Sequence, residues 1–479
     1  MSLIKSISGI RGTIGGKTGD NLTPLDVVKF AAAFGTLIKK NNSKTKVVIG
    51  RDARMSGEMV NALVCSTLQG LGIDVIDLGL TTTPTVEIAV PLEKAAGGII
   101  LTASHNPAQW NALKLLNEKG EFISGKDGEE VLRIASCEDF DFAPVEKLGK
   151  YSLNNTYIKK HIALILKYKL VDVKAIKKAN FKIAVDAVNS TGGITVPQLL
   201  KALGVKKVVK LYCEPTGKFP HNPEPLPEHL KEICSVVKRQ KCHLGIVVDP
   251  DVDRLALIQE DGKPFGEEYT LVAVADYMLS NLPAPKESGV LRTGKAGKKG
   301  NTVSNLSSTR ALRDVTENAK GNYTAAAVGE VNVVTAMKET KAVIGGEGNG
   351  GIIVPDLHYG RDALIGIALF LTHLAKSKLK VSALRKTYPA YFISKNKIEL
   401  TPQINVDRVL ESVKAKYRNE KINTIDGVKI DFEKEKEWVH LRKSNTEPII
   451  RIYAESNQEE KADQLAKRIM EDINEIIKQ

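Results

Sequence analysis

Three segments of this sequence share one pattern, in which an apolar run leads directly into a polar loop containing glycine or proline. They are 97–107 (GGIILTASHNP), 243–254 (HLGIVVDPDVDR) and 341–351 (KAVIGGEGNGG). In sheets built from β-α units, ligands bind beyond the carboxyl ends of the strands. Any one segment could be an ordinary connection. Three with complementary chemistry predict loops that build one shared site.

Strand-like runs alternate with helical stretches around these segments. KVVIG (46–50) precedes a helical stretch near 57–70, and FKIAVDA (181–187) precedes another near 191–203. This alternation predicts mixed α/β domains with largely parallel sheets.

The last hundred residues follow a different pattern. Residues 422–456 have the pattern of strand, turn, strand, loop and strand, and a long helix follows over about 457–477. This pattern predicts a small α+β domain. Because 479 residues exceed what one ordinary core holds, the length predicts several domains. We predict four domains, over 1–150, 151–262, 263–378 and 379–479. The first three contain the polar loops of segments 97–107, 243–254 and 341–351, and the fourth contains a cationic loop at 442–448.

Composition and targeting signals favour a soluble cytoplasmic protein. Hydrophobic residues make up 42% and charged residues 26%, which are ordinary globular values. The N-terminus has no apolar stretch of signal-peptide length, and the most apolar helix candidate, 364–375, is too short to span a bilayer. Five widely spaced cysteines fit reduced thiols and not a disulfide framework or a zinc site.

The net charge of +13 allows two interpretations, a nucleic-acid-binding face or a basic cleft for an anionic substrate. The lysines are scattered, and aromatic residues are only 5%. The densest cluster, Lys295, Lys298 and Lys299, lies in a glycine-rich stretch. We therefore expect small anionic substrates and no nucleic-acid or membrane partner.

The DPDVDR segment offers three carboxylates at alternating positions. On an extended backbone Asp249, Asp251 and Asp253 would project to one side, and hard carboxylate oxygens suit Mg²⁺. An EF-hand loop is excluded because its sixth position is Arg254 where glycine is needed. Arg254 itself could offset the carboxylate charge or bind a phosphate.

The TASHNP segment aims Ser104 off the end of an apolar strand. His105 is a candidate catalytic residue, but neighbours on an extended chain point to opposite sides, so it is a poor base for Ser104. No G-x-S-x-G elbow surrounds the serine, which argues against a serine hydrolase. Ser104 is better interpreted as a phosphoryl carrier, with Lys114 as an acid/base or a phosphate contact.

Two further loops suggest sugar and phosphate contacts. Glu347 and Asn349 lie among five glycines, and a carboxylate with an amide suits vicinal hydroxyls. The loop at 442–448 and the strand after it hold a phosphate-binding set of side chains: Arg442, Ser444, Asn445, Thr446 and Arg451.

Near the N-terminus, GIRGTIGGKTGD (9–20) ends like a nucleotide-binding P-loop. That motif needs glycine at position 11, where this chain has Arg11. We therefore interpret Arg11 as a phosphate contact and reject a nucleotide hydrolase.

Taken together, these loops resemble the α-D-phosphohexomutases, the phosphoglucomutase/phosphomannomutase family. The resemblance covers nearly the whole chain and also includes GIRG, GRDARMSG (50–57) and PTGKFPHNPEPLP (215–227). It implies a four-domain, heart-shaped α/β architecture with a central cleft. It also implies a cytoplasmic monomer or homodimer that acts on hexose phosphates.

The resemblance implies a role for each matching residue. Ser104 would carry the phosphoryl group, and its phosphate would hold Mg²⁺ together with Asp249, Asp251 and Asp253. Arg11 and Lys114 would flank the transferring group, Glu347 would bind sugar hydroxyls, and the Arg442–Thr446 loop would bind the other phosphate. A hexose 1,6-bisphosphate would be the intermediate and activator.

The chain departs from the family pattern at three positions. Bacterial relatives often have serine and histidine in the sugar loop where this chain has Asn349 and Gly351, and the family usually has glycine where this chain has Ala112. The resemblance thus leaves phosphomannomutase/phosphoglucomutase and phosphoglucosamine mutase as alternatives. A non-catalytic sugar-phosphate-binding protein is the rival hypothesis.

Overall fold

The computed structural model describes residues 2–6, 9–42, 45–282, 300–399, 404–443 and 449–478. By its internal contacts the chain forms two compact units. The first unit comprises Met1–Thr270 and Asn349–Leu384, and the second comprises Leu271–Gly348 and Arg385–Gln479.

The first seven strands form one sheet in the first unit. They are β1 (Ile4–Ser6), β2 (Gly9–Thr13), β3 (Lys46–Arg51), β4 (Asp74–Leu80), β5 (Gly97–Leu101), β6 (Trp110–Leu116) and β7 (Tyr151–Leu153). Their order across the sheet is β1-β2-β6-β5-β3-β4-β7, so β5 is the central strand. Strands β3, β4, β5 and β7 run parallel, and β6, β2 and β1 pair antiparallel.

Helices cover both faces of this sheet. They are α1 (Pro24–Asn41), α2 (Gly57–Gly70), α3 (Thr83–Leu92) and α4 (Gly125–Cys137). In β5, Ile99 and Leu101 pack into the core with α1, α2 and α4, whereas Ile100 packs into the core with α3. Because strand side chains alternate between faces, burial on both faces explains the unbroken apolar run of β5.

The second sheet follows with its helices. Its elements are α5 (Tyr157–Lys167), α6 (Val173–Ala179), β8 (Lys182–Asp186), α7 (Gly192–Ala202), β9 (Lys207–Leu211), α8 (Lys231–Arg239), β10 (Leu244–Val248) and β11 (Leu255–Ile258). The order is β11-β10-β8-β9, with β8 parallel to β9 and β10 and with β11 antiparallel to β10. All five residues of β10 are buried, and the strand ends directly before Asp249.

A third set of parallel strands lies in the second unit. Its elements are α9 (Glu267–Ser280, which spans the unit boundary), β12 (Thr302–Asn305), α10 (Ala311–Asn318), β13 (Tyr323–Ala326), α11 (Glu330–Thr340) and β14 (Ile344–Glu347). Strand β12 pairs in parallel with both β13 and β14. The chain then returns to the first unit with β15 (Gly351–Ile353), α12 (Ala363–Ser377) and α13 (Val381–Arg385, whose last residue lies in the second unit).

The remaining elements form an antiparallel sheet with helices on it. They are β16 (Phe392–Glu399), α14 (Val406–Lys416), β17 (Lys421–Asn423), β18 (Val428–Phe432), β19 (Glu437–Lys443), β20 (Ile449–Ser456) and α15 (Glu459–Lys478). The order is β16-β20-β19-β18-β17. The prediction of mixed α/β domains with largely parallel sheets, followed by a small α+β domain, is thereby confirmed.

None of the helices in the described ranges is long and apolar enough to cross a membrane.

A buried ion cluster ties three segments of the first unit together. His358 places Nδ1 3.2 Å from Glu87 of α3 and Nε2 3.4 Å from Asp362, the N-cap of α12. His161 of α5 bonds Asp362 through Nε2 at 3.0 Å and Thr85 through Nδ1 at 3.0 Å. Burial lowers the pKa of His358, but hydrogen bonds and the charges of Asp362 and Glu87 outweigh burial and raise it to about 10.

We therefore predict a loss of stability at alkaline pH. A folded-state pKa above the unfolded value means that the stabilisation is complete below pH of about 6.5 and is lost as pH rises towards about 10. His358→Gln should lower the unfolding midpoint at pH 7. As pH rises towards about 10, the midpoint of this variant should fall less steeply than that of wild type. Thermal unfolding at a series of pH values measures both effects, with His229→Gln as the control. Parallel curves for wild type and His358→Gln would contradict the prediction.

Candidate active site

The loop after the central strand β5 holds Ser104 in a strained conformation. Ser104 has φ = 49°, the left-handed region, which costs a non-glycine residue roughly 1 kcal/mol. Its N–H donates to Thr102 Oγ1 at 2.9 Å, and the N–H of Asn106 donates to the Ala103 carbonyl at 3.0 Å. The loop is thus a fixed turn that holds a serine side chain at the edge of the sheet.

A buried arginine, Arg54, holds this loop through hydrogen bonds from its side chain to backbone carbonyl oxygens. Its side chain is fully buried and forms an ion pair with Asp52 at 3.0 Å. Its terminal nitrogens donate at 2.5–3.0 Å to four carbonyl oxygens of the loop, those of Ser104, Asn106, Pro107 and Trp110. We predicted no role for Arg54 from the sequence. Its place in the GRDARMSG segment was the available signal, and the structure shows it shaping the Ser104 loop.

The aspartate loop follows β10 as a turn. We expected an extended backbone, but the N–H of Val252 donates to the Asp249 carbonyl at 3.1 Å, and Val252 has φ = 62°. The expectation of an extended backbone was therefore wrong. The turn still brings one oxygen each of Asp249, Asp251 and Asp253 within 4.8 Å of one another, and all three residues are fully buried.

Asp249 connects the aspartate loop to the serine loop. Its Oδ1 accepts the backbone N–H groups of Asp253 and Arg254, both at 3.1 Å. Its Oδ2 accepts Ser104 Oγ at 3.0 Å. One carboxylate oxygen is therefore anchored by the loop, and the other faces the serine hydroxyl.

Asp251 and Asp253 are likewise anchored through a single oxygen. Asp251 Oδ2 accepts Lys114 Nζ at 2.8 Å and Thr83 Oγ1 at 2.5 Å. Asp253 Oδ2 lies 2.7 Å from an Arg361 terminal nitrogen and 3.7 Å from Lys114 Nζ. Neither Thr83 nor Arg361 was among the residues that we predicted, because no local pattern links them to the aspartates.

The remaining oxygens fit a hard cation. Within the described ranges, Asp251 Oδ1 and Asp253 Oδ1 are buried without a hydrogen-bond partner. Buried carboxylate oxygens in this state are costly unless a cation compensates them. His161, His358 and Asp362 also bring donor atoms together, but both ring nitrogens of His161 are hydrogen-bonded, and the His358 ring lies between Glu87 and Asp362 at ion-pair distances of 3.2 and 3.4 Å. Carboxylate oxygens suit Mg²⁺, so the aspartate set is the better metal site.

The charges around Ser104 are fixed by burial and by neighbours. Burial lowers the pKa of Lys114, but Asp251 and Asp253 outweigh burial and raise that pKa above its ordinary value, so the ammonium stays charged. Burial, together with Arg254 and Arg361, lowers the pKa of His105 to about 2. His105 Nδ1 lies 3.5 Å from Ser104 Oγ, so a neutral imidazole sits beside the serine.

Other predicted residues of the first unit lie in β2 and around the glycine-rich loop. Arg11 is half-buried in β2. Arg254 is buried and places a terminal nitrogen 3.3 Å from Glu224. Glu224 belongs to the PTGKFPHNPEPLP segment, but it was not among the predicted site residues. The side chain of Asn349 turns back on its own loop and accepts the Gly351 N–H at 3.2 Å.

The predicted sugar and phosphate residues of the second unit form two groups. Glu347 is buried at the end of β14, where Oε1 accepts Asn305 Nδ2 at 2.9 Å and the Gly329 N–H at 3.2 Å. Arg442 of β19 and Arg451 of β20 are direct cross-strand partners. The predicted residues Ser444, Asn445 and Thr446 lie outside the described residues.

Four successive domain descriptions match this chain. They are phosphoglucomutase/phosphomannomutase α/β/α domains I (residues 3–141), II (156–262) and III (268–391), and the C-terminal domain (397–472). The chain belongs to the phosphoglucomutase/phosphomannomutase family. The expected membership of the α-D-phosphohexomutases is confirmed, and the protein is a phosphohexomutase, an isomerase that acts by intramolecular phosphoryl transfer.

Individual relatives carry two kinds of name. A phosphoglucomutase/phosphomannomutase of Thermococcus kodakarensis is 37% identical over 94% of this chain and 95% of its own. A phosphoglucosamine/phosphogalactosamine mutase of Sulfurisphaera tokodaii is 32% identical over 98% of both chains. In fold, the chain matches the crystal structure of a phosphoglucomutase/phosphomannomutase family protein from Burkholderia thailandensis with a TM-score of 0.82, at 24% identity, over 99% of this chain and 97% of the other.

The aspartate geometry predicts that Asp251→Asn weakens Mg²⁺ binding. The substitution removes one charge and one of the two partnerless oxygens. Losing a group that merely supports a metal ligand typically costs about 10- to 100-fold in affinity, so we expect at least about 10-fold here. Isothermal titration calorimetry with Mg²⁺ measures the change, with exposed Asp141→Asn as the matched control. Equal affinities of wild type and Asp251→Asn would exclude this metal site.

Proposed function

We propose that this phosphohexomutase carries a phosphoryl group on Ser104 Oγ and interconverts α-D-hexose 1-phosphates and hexose 6-phosphates. One observation carries the proposal: Ser104 Oγ lies 3.0 Å from a carboxylate of a buried three-aspartate set. A serine held so close to a metal-binding carboxylate suits phosphoryl transfer, in which positioning and charge neutralisation provide most of the catalysis.

In the first half-reaction, the O6 hydroxyl of a hexose 1-phosphate attacks the phosphorus of phosphoserine 104. The bond from O6 to phosphorus forms, the bond from Ser104 Oγ to phosphorus breaks, and Oγ gains one proton as O6 loses one. The product is a hexose 1,6-bisphosphate, which then turns over in the site. In the second half-reaction, the bond from Ser104 Oγ to the phosphorus at position 1 forms and the bond from that phosphorus to O1 breaks. Oγ loses a proton, O1 gains one, and the hexose 6-phosphate remains.

The proposed metal ligands are Asp249, Asp251, Asp253 and the phosphate on Ser104. Mg²⁺ bound by these residues would neutralise charge on the transferring phosphoryl group. Lys114 stays protonated between two aspartates, which favours a role as a phosphate contact over one as a proton donor. We place Arg11 and Arg254 at the same phosphoryl group, and His105 beside it.

The phosphate that is not transferred needs a second cationic site. Arg442 and Arg451 stand directly opposite each other on β19 and β20, and like charges in that position destabilise a sheet unless an anion offsets them. Asp426 binds Arg442 Nε at 3.0 Å and offsets one charge. We propose that the substrate phosphate supplies the other negative charge, and that Ser444, Asn445 and Thr446 also bind this phosphate.

We propose hexose phosphates as substrates and place glucose and mannose first, because the 37% identical relative carries the name phosphoglucomutase/phosphomannomutase. Glucosamine phosphate is the second candidate, from the 32% identical relative. Glu347 and Asn349 would bind the sugar hydroxyls. Coupled assays with glucose, mannose, glucosamine and N-acetylglucosamine 1-phosphates, run side by side, rank the sugars directly.

Ser104→Ala should abolish turnover and leave the fold intact, because the alanine has no oxygen to carry the phosphoryl group. Intact-mass measurement after incubation with glucose 1,6-bisphosphate should show one added phosphate on wild type and none on the variant. Ser136→Ala, on the exposed face of α4, is the matched control and should behave as wild type. Near-normal turnover by Ser104→Ala would exclude the phosphoserine mechanism.

A further inference from the structure

Arg361 occupies the space beside Gly351, a position that has no side chain. A Cβ atom on Gly351 would lie 2.4 Å from Arg361 Cδ, closer than real Cβ contacts allow, and 3.1 Å from both Arg361 Cγ and Asn349 Oδ1, which is tight. The backbone of Gly351 is not in the left-handed region, so its conformation does not require glycine. The contact that most strongly excludes a side chain at position 351 is therefore the one with the aliphatic part of the arginine.

The backbone on both sides of Arg361 is fixed. Arg361 forms an antiparallel bridge with Ile353, and the N–H of Asp362 donates to the Ile352 carbonyl at 2.8 Å. Asp362 then caps α12 by accepting the N–H groups of Leu364 and Ile365. A buried arginine on such a support has little freedom to move, and its side chain is only 9% exposed.

The guanidinium reaches one of the three aspartates. A terminal nitrogen of Arg361 lies 2.7 Å from Asp253 Oδ2, and Lys114 Nζ lies 3.7 Å from the same oxygen. Asp253 Oδ1 has no hydrogen-bond partner within the described ranges. Because an arginine fork is rigid, this contact determines which oxygen of Asp253 is occupied and which one is presented to the site.

We propose that Arg361 is a positioning residue for phosphoryl transfer, which orients Asp253 from the space left open by Gly351. The inference rests on the proposed function, since it assigns Arg361 to the same metal and phosphoserine site. Arg361 acts through Asp253, and Gly351 is the residue that makes room for it.

Kinetics of Arg361→Ala and Arg361→Lys test the role. Loss of a group that orients a metal ligand typically costs about 10- to 100-fold in activity, so we expect a fall in kcat of that size for Arg361→Ala. KM for the hexose 1-phosphate should change by less than about 3-fold, since the arginine acts through Asp253. Arg361→Lys keeps the charge and should recover part of the loss.

Chemical rescue separates positioning from a structural contribution. Millimolar guanidinium chloride should raise kcat of Arg361→Ala several-fold by filling the vacated site, with sodium chloride at equal ionic strength as the salt control. Arg133→Ala on the exposed face of α4 should have normal kcat and no rescue. If Arg361→Ala has normal kcat, or if guanidinium does not raise its reduced kcat, the inference is overturned.

A double-mutant cycle gives a readout that is independent of activity. Gly351→Ala should lower the unfolding midpoint of the wild-type chain, because its Cβ collides with Arg361. In the Arg361→Ala background the same change should have little effect. Equal effects in both backgrounds would overturn the proposed packing. Turnover of wild type is measured first: its absence with every hexose 1-phosphate contradicts the proposed function, whereas active wild type with an unaffected Arg361→Ala variant contradicts only this inference.

Discussion

Three carboxylates buried within 4.8 Å of one another are the constraint on which the rest of this site depends. Like charges at this spacing repel strongly away from water, and taking them out of water is costly as well. The fold compensates with Lys114 from β6, Arg361 from the segment before α12 and backbone N–H groups of the loop itself. The hydroxyl of Thr83, at the start of α3, adds a further hydrogen bond. Several distant parts of the first unit must therefore meet at one point.

In each aspartate, contacts from the loop or from neighbouring segments anchor one oxygen; the other oxygen of Asp249 accepts the Ser104 hydroxyl, and those of Asp251 and Asp253 have no hydrogen-bond partner in the described ranges. That arrangement orients the ligands before any cation arrives, so less reordering is needed when it binds. The buried cluster of His161, His358 and Asp362 in the same unit differs in its charges, because its imidazoles lie against the carboxylates of Glu87 and Asp362. In the part of the chain that the structure describes, the aspartate set has two carboxylate oxygens without a hydrogen-bond partner, and this difference favours it as the metal site.

The sequence predicted those parts of the fold and site that are encoded locally. An apolar run that passes into a polar loop is visible in one stretch of chain, and it placed Ser104 and the aspartates correctly at strand ends. Arg54 and Arg361 were not predicted because their partners lie 50 and 108 residues away. A contact across that separation leaves no periodicity to detect. The positions that anchor the site are thus harder to find than the residues that would react.

Tertiary context also limited what the local sequence could predict in two places, strand β16 and the aspartate loop. Strand β16, FISKNKIE, was not singled out because it is an edge strand whose side chains are mostly solvent-accessible, so the apolar alternation of a half-buried strand is weak. The aspartate loop was predicted as extended from its alternating residues, whereas a left-handed Val252 makes it a turn. Alternation in a short polar segment did not determine its backbone, since the turn satisfies Asp249 through backbone N–H groups.

The left-handed conformation of Ser104 has a consequence for how this chain can evolve. Glycine is the residue that adopts this conformation without strain, so the most relaxed sequence at position 104 is one without a hydroxyl. Selection for a more stable fold and selection for a serine oxygen therefore act in opposite directions at this position. Arg54, with its four carbonyl contacts, is what allows the less stable choice to persist. A lineage released from the need for turnover would be free to drift towards glycine at position 104, and the sequence would record the loss of the reaction as a gain in stability.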